Sequence, residues 1–407
     1  MSRLGTVVGL GLGAIWLGSC ARGDERSIRE EPGGVRDPVM TSAGSGGMAG
    51  VEASPPVSAG SAGVSAGSAG NSGLAGGAGM GSGGESGSPA QAGNGGAAEA
   101  GNGGAPSTFG ARDHVLDYLK SISGTKTIAG QHNREPNAMP RQWTDAVHGT
   151  VGQFPGLWSG DFLFQADDIA SRGVMIDEAI AQFRQGALVS LLWHACSPAQ
   201  SEPCAWDGGV LGALTDPQWT ELTTDGTPLN SVWKSRLDAV AVHLQTLEDA
   251  DVAVLFRPLH EMNQSAFWWG GRSGPSGTRR LYQLTHDYLV ETKGLTNLIW
   301  VWDVLDQSLT FADYDPGAEY WDVAALDVNG AGFTSEKYQA MLAVAGDKPI
   351  AVGYCARLPT PTELAAQPRW LFFMAWAELV YQENNEAEIT ATYGASSVLT
   401  LNELPGW

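Results

Sequence analysis

The segment 256–271, FRPLHEMNQSAFWWGG, combines a residue that can move a proton with residues that can hold a ring-shaped ligand. Glu261 follows an apolar run directly, so we expect it at the end of a buried strand, among apolar and aromatic side chains. Such surroundings raise the pKa of a carboxyl group and suit it to general acid chemistry near neutral pH. A structural ion pair with Arg257 or another Arg is the alternative for Glu261.

Three consecutive aromatic residues, Phe267, Trp268 and Trp269, follow in the same segment. The side chains of adjacent residues diverge, so all three cannot point into one core, and we expect at least one to be exposed on a loop. An exposed Trp face stacks well on a sugar ring or a similar ligand. Burial of these rings as an anchor for the loop is the alternative.

The scaffold for these residues is predicted from eight apolar runs that alternate with helical stretches. The predicted strands span residues 127–133, 150–158, 187–195, 252–261, 297–304, 322–329, 349–355 and 370–378. Most are continuous apolar runs, which is typical of parallel strands buried on both faces. Amphipathic helices are predicted over 175–185, 231–250 and 279–294.

This alternation predicts an α/β fold, a (β/α)8 TIM barrel over residues 107–407. A doubly wound open sheet is the alternative, although no GxGxxG or P-loop motif follows any of the predicted strands to support it. In a barrel of this kind, the active site lies at the carboxyl ends of the strands. The polar and aromatic residues at those predicted ends are His132, Asp161, His194, His260, Glu261, Asp303, Asp327, Asn329, Tyr354 and Trp376.

The charge of the chain limits its partners. Asp and Glu number 44 against 23 Lys and Arg, and the formal net charge is -21. This argues against binding to nucleic acid or to an anionic membrane surface, and it is compatible with a neutral polysaccharide. No CxxC or His-rich spacing indicates a metal site, and we expect no cofactor. We expect the protein to be a monomer.

The N-terminal residues predict export and a lipid anchor. One Arg precedes an apolar stretch over residues 7–17, which is too short for a relaxed transmembrane helix and is typical of a secretory signal. The residues LGSC that end at Cys20 look like a bacterial lipobox, so we interpret residues 1–20 as a lipoprotein signal peptide. An ordinary signal peptide with a chance Cys is the alternative. We therefore expect a protein of the cell envelope or exterior that contacts the membrane only through its N-terminal lipid.

Residues 21–106 are charged at first and then consist almost entirely of Gly, Ala and Ser. A segment of this composition buries too little apolar surface to fold, and we interpret it as a disordered tether. In the folded part, Cys196 and Cys204 lie in one loop and can form a disulfide in an oxidising compartment. Cys355 is expected to be a small buried residue.

Several blocks of the sequence together resemble glycoside hydrolase family 26, the endo-β-1,4-mannanase family. They are RPLHEMN with FWWG, WHACSP, NLIWVW, the ALDV strand, KPIA with RLP, PRWLFFMAWAEL and VLTLNELP, in the order of the family. The resemblance covers about residues 130–405. It implies a (β/α)8 barrel, a retaining mechanism on β-mannan, a general acid/base at the end of the fourth strand and a nucleophile at the end of the seventh.

The resemblance assigns roles to single residues. Glu261 matches the general acid/base, and Arg257 and His260 match residues that orient the reacting centre. His194 matches a histidine that lines the subsite of the reacting sugar, and Trp376 matches the aromatic platform under that sugar. A structural role for His194 and a place in the barrel core for Trp376 are the alternatives. The other residues that we assign to the polysaccharide on this ground are Trp268, Trp269, Asp161, Asp327 and Asn329.

The seventh strand departs from the family. It reads KPIAVGY, and Tyr354 stands where the family has its nucleophilic Glu. The residues RLP at 357–359 follow in step with the family, so a one-residue gap does not bring in a carboxylate, and the next acid is Glu363. A second departure places Asn329 where the family has a tyrosine that positions the nucleophile.

The departures leave several interpretations open. A retaining glycosidase needs two carboxyl groups about 5–5.5 Å apart, and a neutral phenol does not attack a sugar without a base. Glu261 or Asp327 could activate Tyr354, or Asp327 or Asp303 could direct a water in an inverting reaction. Alternatively, the barrel has lost hydrolysis and only binds glycan, which would make it a pseudoenzyme.

Overall fold

Strands and helices alternate along residues 110–407, the part of the chain that the computed structural model describes. The strands are β1 (Thr127–His132), β2 (Leu157–Phe162), β3 (Leu188–Trp193), β4 (Val254–Pro258), β5 (Leu298–Leu305), β6 (Val323–Val328), β7 (Ile350–Cys355), β8 (Trp370–Trp376) and β9 (Val398–Leu399). The helices are α1 (Ala111–Ile122), α2 (Gln142–Val151), α3 (Ala166–Ala170), α4 (Arg172–Arg184), α5 (Asp216–Thr223), α6 (Pro228–Asp249), α7 (Thr278–Asp287), α8 (Ser335–Ala345), α9 (Pro361–Ala366), α10 (Leu379–Gln382) and α11 (Glu386–Tyr393). One π-helical turn (Tyr288–Thr292) extends α7, and the 3-10 turns are Phe311–Tyr314 and Leu401–Glu403.

Strands β1 to β8 form a closed parallel barrel. Each strand pairs with the next in chain order, and β1 pairs with both β2 and β8. The short β9 adds to β1 at Thr127 and Ile128. This closure confirms the predicted (β/α)8 TIM barrel and is incompatible with the open sheet. The predicted signal peptide with Cys20 and the predicted tether 21–106 lie outside the described residues.

The second predicted strand, 150–158, is wrong in position. Thr150 and Val151 end α2, which Gly152 closes with a left-handed φ of 75°. The strand itself begins at Leu157 and runs through Ser159, Gly160 and Asp161. No continuous apolar run marks this strand in the sequence, because its central residues are small or polar and Pro155 stands just before it.

The fourth and eighth predicted strands, 252–261 and 370–378, extend too far. β4 ends at Pro258 and β8 ends at Trp376. Just beyond these ends, Leu259, Glu261 and Ala377 have φ values of 52°, 52° and 36°. A left-handed φ at a non-Gly residue ends extended geometry and is common where side chains serve a site. Hydrophobicity alone did not indicate these turns, since Leu259 and Ala377 are apolar and continue the strand pattern.

The predicted helices are present, with earlier starts. The stretch 231–250 corresponds to α6, which ends at Asp249 and begins with Pro228 at its first position, where the ring fixes a helical φ. The stretch 175–185 corresponds to α4, which ends at Arg184, and the stretch 279–294 corresponds to α7 and its π-helical turn, which ends at Thr292. Residues 110–407 contain no helix that is long and apolar enough to span a bilayer.

Candidate active site

Glu261 lies in a tight turn after β4, at the mouth of the barrel. Its backbone N–H donates a 2.8 Å hydrogen bond to Asp303 Oδ1 on β5. The side-chain amide of Gln264 donates to Glu261 Oε2 at 3.0 Å, and the Gln264 backbone N–H donates to the Glu261 carbonyl at 3.1 Å. The turn is therefore fixed at both its backbone and its carboxyl group, which remains half-buried.

The electrostatic surroundings of Glu261 suit a proton donor. Burial and the nearby Asp303 carboxyl raise its pKa to about 7, against the opposing effects of Arg257 and of the Gln264 hydrogen bond. This confirms the raised pKa that the sequence predicted. The alternative of a structural ion pair between Glu261 and Arg257 is not observed, because Arg257 forms its salt bridges with Asp303 and Asp327.

Arg257, on β4, is the centre of a buried charge cluster. Its Nη1 donates to Asp303 Oδ2 at 2.7 Å and to Asp327 Oδ1 at 2.5 Å. Burial raises the pKa of Asp327 well above its usual range, reinforced by Asp303 and Glu261, although Arg257 opposes it. Asp303 and Asp327 are 0% and 1% exposed. Both carboxyl groups are therefore buried in the barrel interior, where they accept hydrogen bonds from Arg257.

Asp161 holds the predicted sugar-binding histidine. Its Oδ2 lies 2.6 Å from His194 Nδ1 and its Oδ1 accepts from the His194 backbone N–H at 3.2 Å. The same Oδ2 lies 3.7 Å from His132 Nε2. Burial alone would raise the pKa of Asp161, but His194 and His132 lower it. Burial lowers the pKa of His132 to about 4 and that of His260 well below its usual value.

The aromatic segment after Glu261 is buried. Trp268 and Trp269 are 1% and 0% exposed and Phe267 is buried with them, so the expectation of an exposed ring here is wrong. Trp268 Nε1 donates to the Ala195 carbonyl and Trp269 Nε1 donates to the His260 carbonyl, both at 2.8 Å. Because their polar atoms are bonded to the ends of neighbouring strands, these rings anchor the loop. A contact between either Trp and polysaccharide stays a prediction.

Tyr354 and Trp376 meet at the same mouth, from β7 and β8. Their rings pack edge to face with centroids 5.3 Å apart. The other neighbours of Trp376 are His132, stacked at 4.1 Å, and His194, whose ring is edge-on at 6.1 Å. Trp376 is buried and Tyr354 is half-buried. Tyr354, which stands where the family resemblance predicts a nucleophile, therefore lies beside the predicted sugar platform.

Asn329 is exposed on the loop after β6. Its backbone N–H donates to Asp306 Oδ2 at 2.9 Å, and its side-chain oxygen accepts from the Gly330 N–H at 3.0 Å. Lys337 donates to Asp306 at 2.5 Å and to the Asn329 carbonyl at 3.3 Å. This loop is thus held mainly by the Lys337–Asp306 pair, and the binding role of Asn329 stays a prediction.

Two residues at the mouth were not predicted. Gln264 follows Glu261 by three positions, and only the turn geometry brings its amide to the carboxyl group. Trp206, half-buried in the loop after β3, has its ring 5.6 Å from that of His194. An aromatic residue in the loop that follows His194 was a signal available in the sequence. Cys196 and Cys204 of the same loop form the predicted disulfide, and Cys355 is free and buried as expected.

Within residues 110–407, no group of three or more His, Cys, Asp and Glu side chains is arranged to hold a metal ion. The chemistry available at the mouth is that of a proton donor with a pKa near 7, an oriented histidine and several aromatic rings. This is a set suited to an uncharged ligand rich in hydroxyl groups.

Comparison with known proteins identifies the family to which the chain belongs. The sequence model of glycosyl hydrolase family 26 matches residues 106–403. The chain belongs to this family. Among solved family 26 structures, GH26A from a Muricauda species is 33% identical, with a TM-score of 0.69 over 73% of this chain and 98% of that one. A Podospora anserina GH26-CBM35 β-(1,4)-mannanase is 30% identical, with a TM-score of 0.62 over 74% of this chain and 68% of that one.

Two curated relatives extend the comparison. The mannan endo-1,4-beta-mannosidase of Thermothelomyces thermophilus is 34% identical over 74% of this chain and 63% of its own length. The mannan endo-1,4-beta-mannosidase A and B of Caldalkalibacillus mannanilyticus is 32% identical over 66% of this chain and 56% of its own length. The chain thus spans less than two thirds of the length of each of these relatives.

Proposed function

We propose that this family 26 barrel binds β-1,4-mannan-type polysaccharide at its mouth without efficient hydrolysis. The single observation that carries the proposal is that Tyr354 occupies the nucleophile position implied by the family resemblance, beside Trp376. A phenol ordinarily keeps its proton at neutral pH and is a poor nucleophile without a base. Loss of a covalent nucleophile can cost on the order of 10⁶ in rate.

The buried carboxyl groups near the mouth support the loss of hydrolysis. Asp303 and Asp327 are the candidates for directing a water, and both are bonded to Arg257 in the barrel interior. Burial also raises the pKa of Asp327 well above its usual range, so its carboxyl group keeps a proton over more of the pH range and, while protonated, cannot take one from a water. An inverting reaction through either residue is therefore disfavoured.

The retained residues support binding to a glycan. His194 is oriented by Asp161, and Tyr354, Trp206 and Trp376 bring aromatic rings to the same mouth. Aromatic rings with a few fixed polar groups are typical of sites for neutral ligands. The relatives from Thermothelomyces thermophilus and Caldalkalibacillus mannanilyticus are named for action on mannan, which makes mannan the first substrate class to test.

Slow hydrolysis is the second candidate function, and the pKa of Glu261 favours it. Burial raises that pKa to about 7, so the carboxyl group can donate a proton to a leaving oxygen near neutral pH. Tyr354 would then have to serve as the nucleophile with a neighbouring base, as tyrosine does in sialidases.

One experiment separates binding from hydrolysis. The full chain is incubated with galactomannan and with glucomannan, reducing ends are quantified over time, and binding is measured by calorimetry. We expect saturable binding with no release of reducing ends above that of a heated sample. Glu261→Ala should leave this absence of release unchanged.

The controls identify the source of any activity. Glu291→Ala, at an exposed position in the turn after α7, is the matched control. Reducing ends that appear with the wild type and with Glu291→Ala, and vanish with Glu261→Ala, would establish the hydrolase in place of the binding protein. Absence of both binding and release would exclude mannan as the ligand.

A further inference from the structure

A groove opens beside the barrel mouth, between the loop after β2 and the long loop after β3. Its volume is about 590 Å³, which lies within the range of small-molecule sites. The side chains of Gln165, Gln200, Ser201 and Asp207 line it, together with Ala166, residues 203–205 and the two glycines 208 and 209. We call this feature the side groove.

The loops that form the walls of the side groove are held in place by a disulfide and by hydrogen bonds. The Cys196–Cys204 disulfide closes the loop after β3. The buried guanidinium of Arg236, from α6, donates to the carbonyls of Cys196 and Gln200. The Cys204 N–H also donates to the Phe164 carbonyl in the opposite loop at 3.3 Å. A groove held in this way is formed before a ligand arrives, which lowers the entropy cost of binding.

Trp206 joins the side groove to the candidate active site. It belongs to the loop that lines the groove, and its ring lies 5.6 Å from that of His194 and 5.9 Å from that of Phe267. The ring of His194 in turn lies 4.5 Å from that of His260, the residue before Glu261. A half-buried Trp thus stands where a chain that leaves the mouth would enter the groove.

The chemistry of the groove selects the class of ligand. Amide and hydroxyl groups both donate and accept hydrogen bonds, and one carboxylate, that of Asp207, adds an acceptor. None of the residues that line the groove is Lys or Arg. Two arginines support the surrounding loops. Arg172 donates hydrogen bonds to Glu202 and to the Leu163 carbonyl, and Arg236 donates to the carbonyls of Cys196 and Gln200. This lining fits neutral hydroxyl groups and disfavours anions.

We propose that the side groove is an additional glycan-binding site, which holds neutral sugar units that continue the polysaccharide chain beyond the barrel mouth. Trp206 stacks on the sugar at the junction, and Gln200 and Asp207 bond the hydroxyl groups of the units beyond it. This inference rests on the proposed function, because it needs a glycan in the mouth. It predicts that affinity depends on the length of the oligosaccharide.

Calorimetry with oligosaccharides of two lengths tests the inference. The full chain is titrated with mannotriose and with mannohexaose, and the two dissociation constants are compared. We expect mannohexaose to bind at least about tenfold more tightly. The double variant Gln200→Ala/Asp207→Ala should lose most of that advantage while its affinity for mannotriose stays within about twofold of the wild type. Both side chains are exposed, so the variant should fold.

The controls distinguish the inference from the proposed function. Gln185→Ala, at an exposed position between α4 and β3, should keep the full length dependence. Equal affinity of the wild type for both oligosaccharides would overturn the side-groove site and leave the proposed function intact. An equal loss for both lengths in the double variant would also overturn it. If neither oligosaccharide binds the wild type, both proposals are wrong.

Discussion

Arg257 explains how the barrel tolerates a phenol at position 354. A buried guanidinium without a partner is strongly destabilising. Here Asp303 and Asp327 both accept from its Nη1, so the positive charge is compensated within the barrel. A carboxylate at position 354 is therefore not needed to balance Arg257, and Tyr354 at this position leaves no uncompensated charge.

Restoring that carboxylate should restore little hydrolysis. The family resemblance implies that a tyrosine at position 329 orients the nucleophile, whereas the Asn329 side chain is exposed and bonded to the Gly330 N–H. We expect Tyr354→Glu to release reducing ends from galactomannan at least about tenfold more slowly than Tyr354→Glu/Asn329→Tyr. Initial rates of the two variants at equal enzyme concentration give the comparison.

The Asn329→Tyr single variant is the control for this pair, and it should release no more reducing ends than the wild type. Equal rates for Tyr354→Glu alone and for the double variant would contradict the coupling between the two positions. The departures at 329 and 354 would then be independent changes.

At the scale of elements, strand β7 adapts to the Arg257 cluster through a bulge. The register with β6 shifts so that Val352 pairs with Leu326 but Tyr354 pairs with Asp327, which leaves Gly353 as an extra residue. A Cβ on Gly353 would lie 2.4 Å from both Arg257 Nη1 and Asp303 Oδ2. The bulge thus aims Tyr354 at the mouth while the glycine leaves room for the charges.

Gly353→Ala should therefore destabilise the barrel. Overpacking of this kind costs about 1–3 kcal/mol, and here the new methyl group also displaces bonded charges. Chemical denaturation monitored by Trp fluorescence should give a lower unfolding free energy of that order. The control is Gly149→Ala in α2, where an added Cβ meets nothing within 4 Å and where Ala should be neutral or stabilising by up to about 1 kcal/mol. Equal stability of Gly353→Ala and wild type would contradict the packing of this cluster.

The sequence predicted the elements that depend on a local pattern. The continuous apolar runs of β3, β5, β6 and β7 gave those strands within one or two residues, and family motifs gave the position of Glu261. Features that depend on tertiary contacts were not predictable. The burial of Trp268 and Trp269 depends on carbonyl groups of other strands, and the start of β2 depends on polar residues that only a barrel interior can accommodate.

At the scale of the whole molecule, two buried groups give stability opposite dependences on pH. The pKa of Glu261 is raised from 4.5 to about 7, so the folded state binds the extra proton in that window and stability falls as pH rises through it. The pKa of His132 is lowered from 6.5 to about 4, so the unfolded chain binds the extra proton there and stability rises with pH. The two slopes largely offset each other where the windows overlap.

Replacing Glu261 by Gln removes its contribution to the pH dependence of stability and leaves the contribution of His132. The difference in unfolding free energy, Glu261→Gln minus wild type, should increase by on the order of 2 kcal/mol as pH rises through the Glu261 window, less than the full shift because the carboxyl group is only half-buried. Urea denaturation of both proteins at a series of pH values measures it. Glu291→Gln, at an exposed position, is the matched control for the replacement of one carboxyl group by an amide. A constant difference for Glu261→Gln would mean that Glu261 ionises as in the unfolded chain, and the barrel would then lack a proton donor near neutral pH.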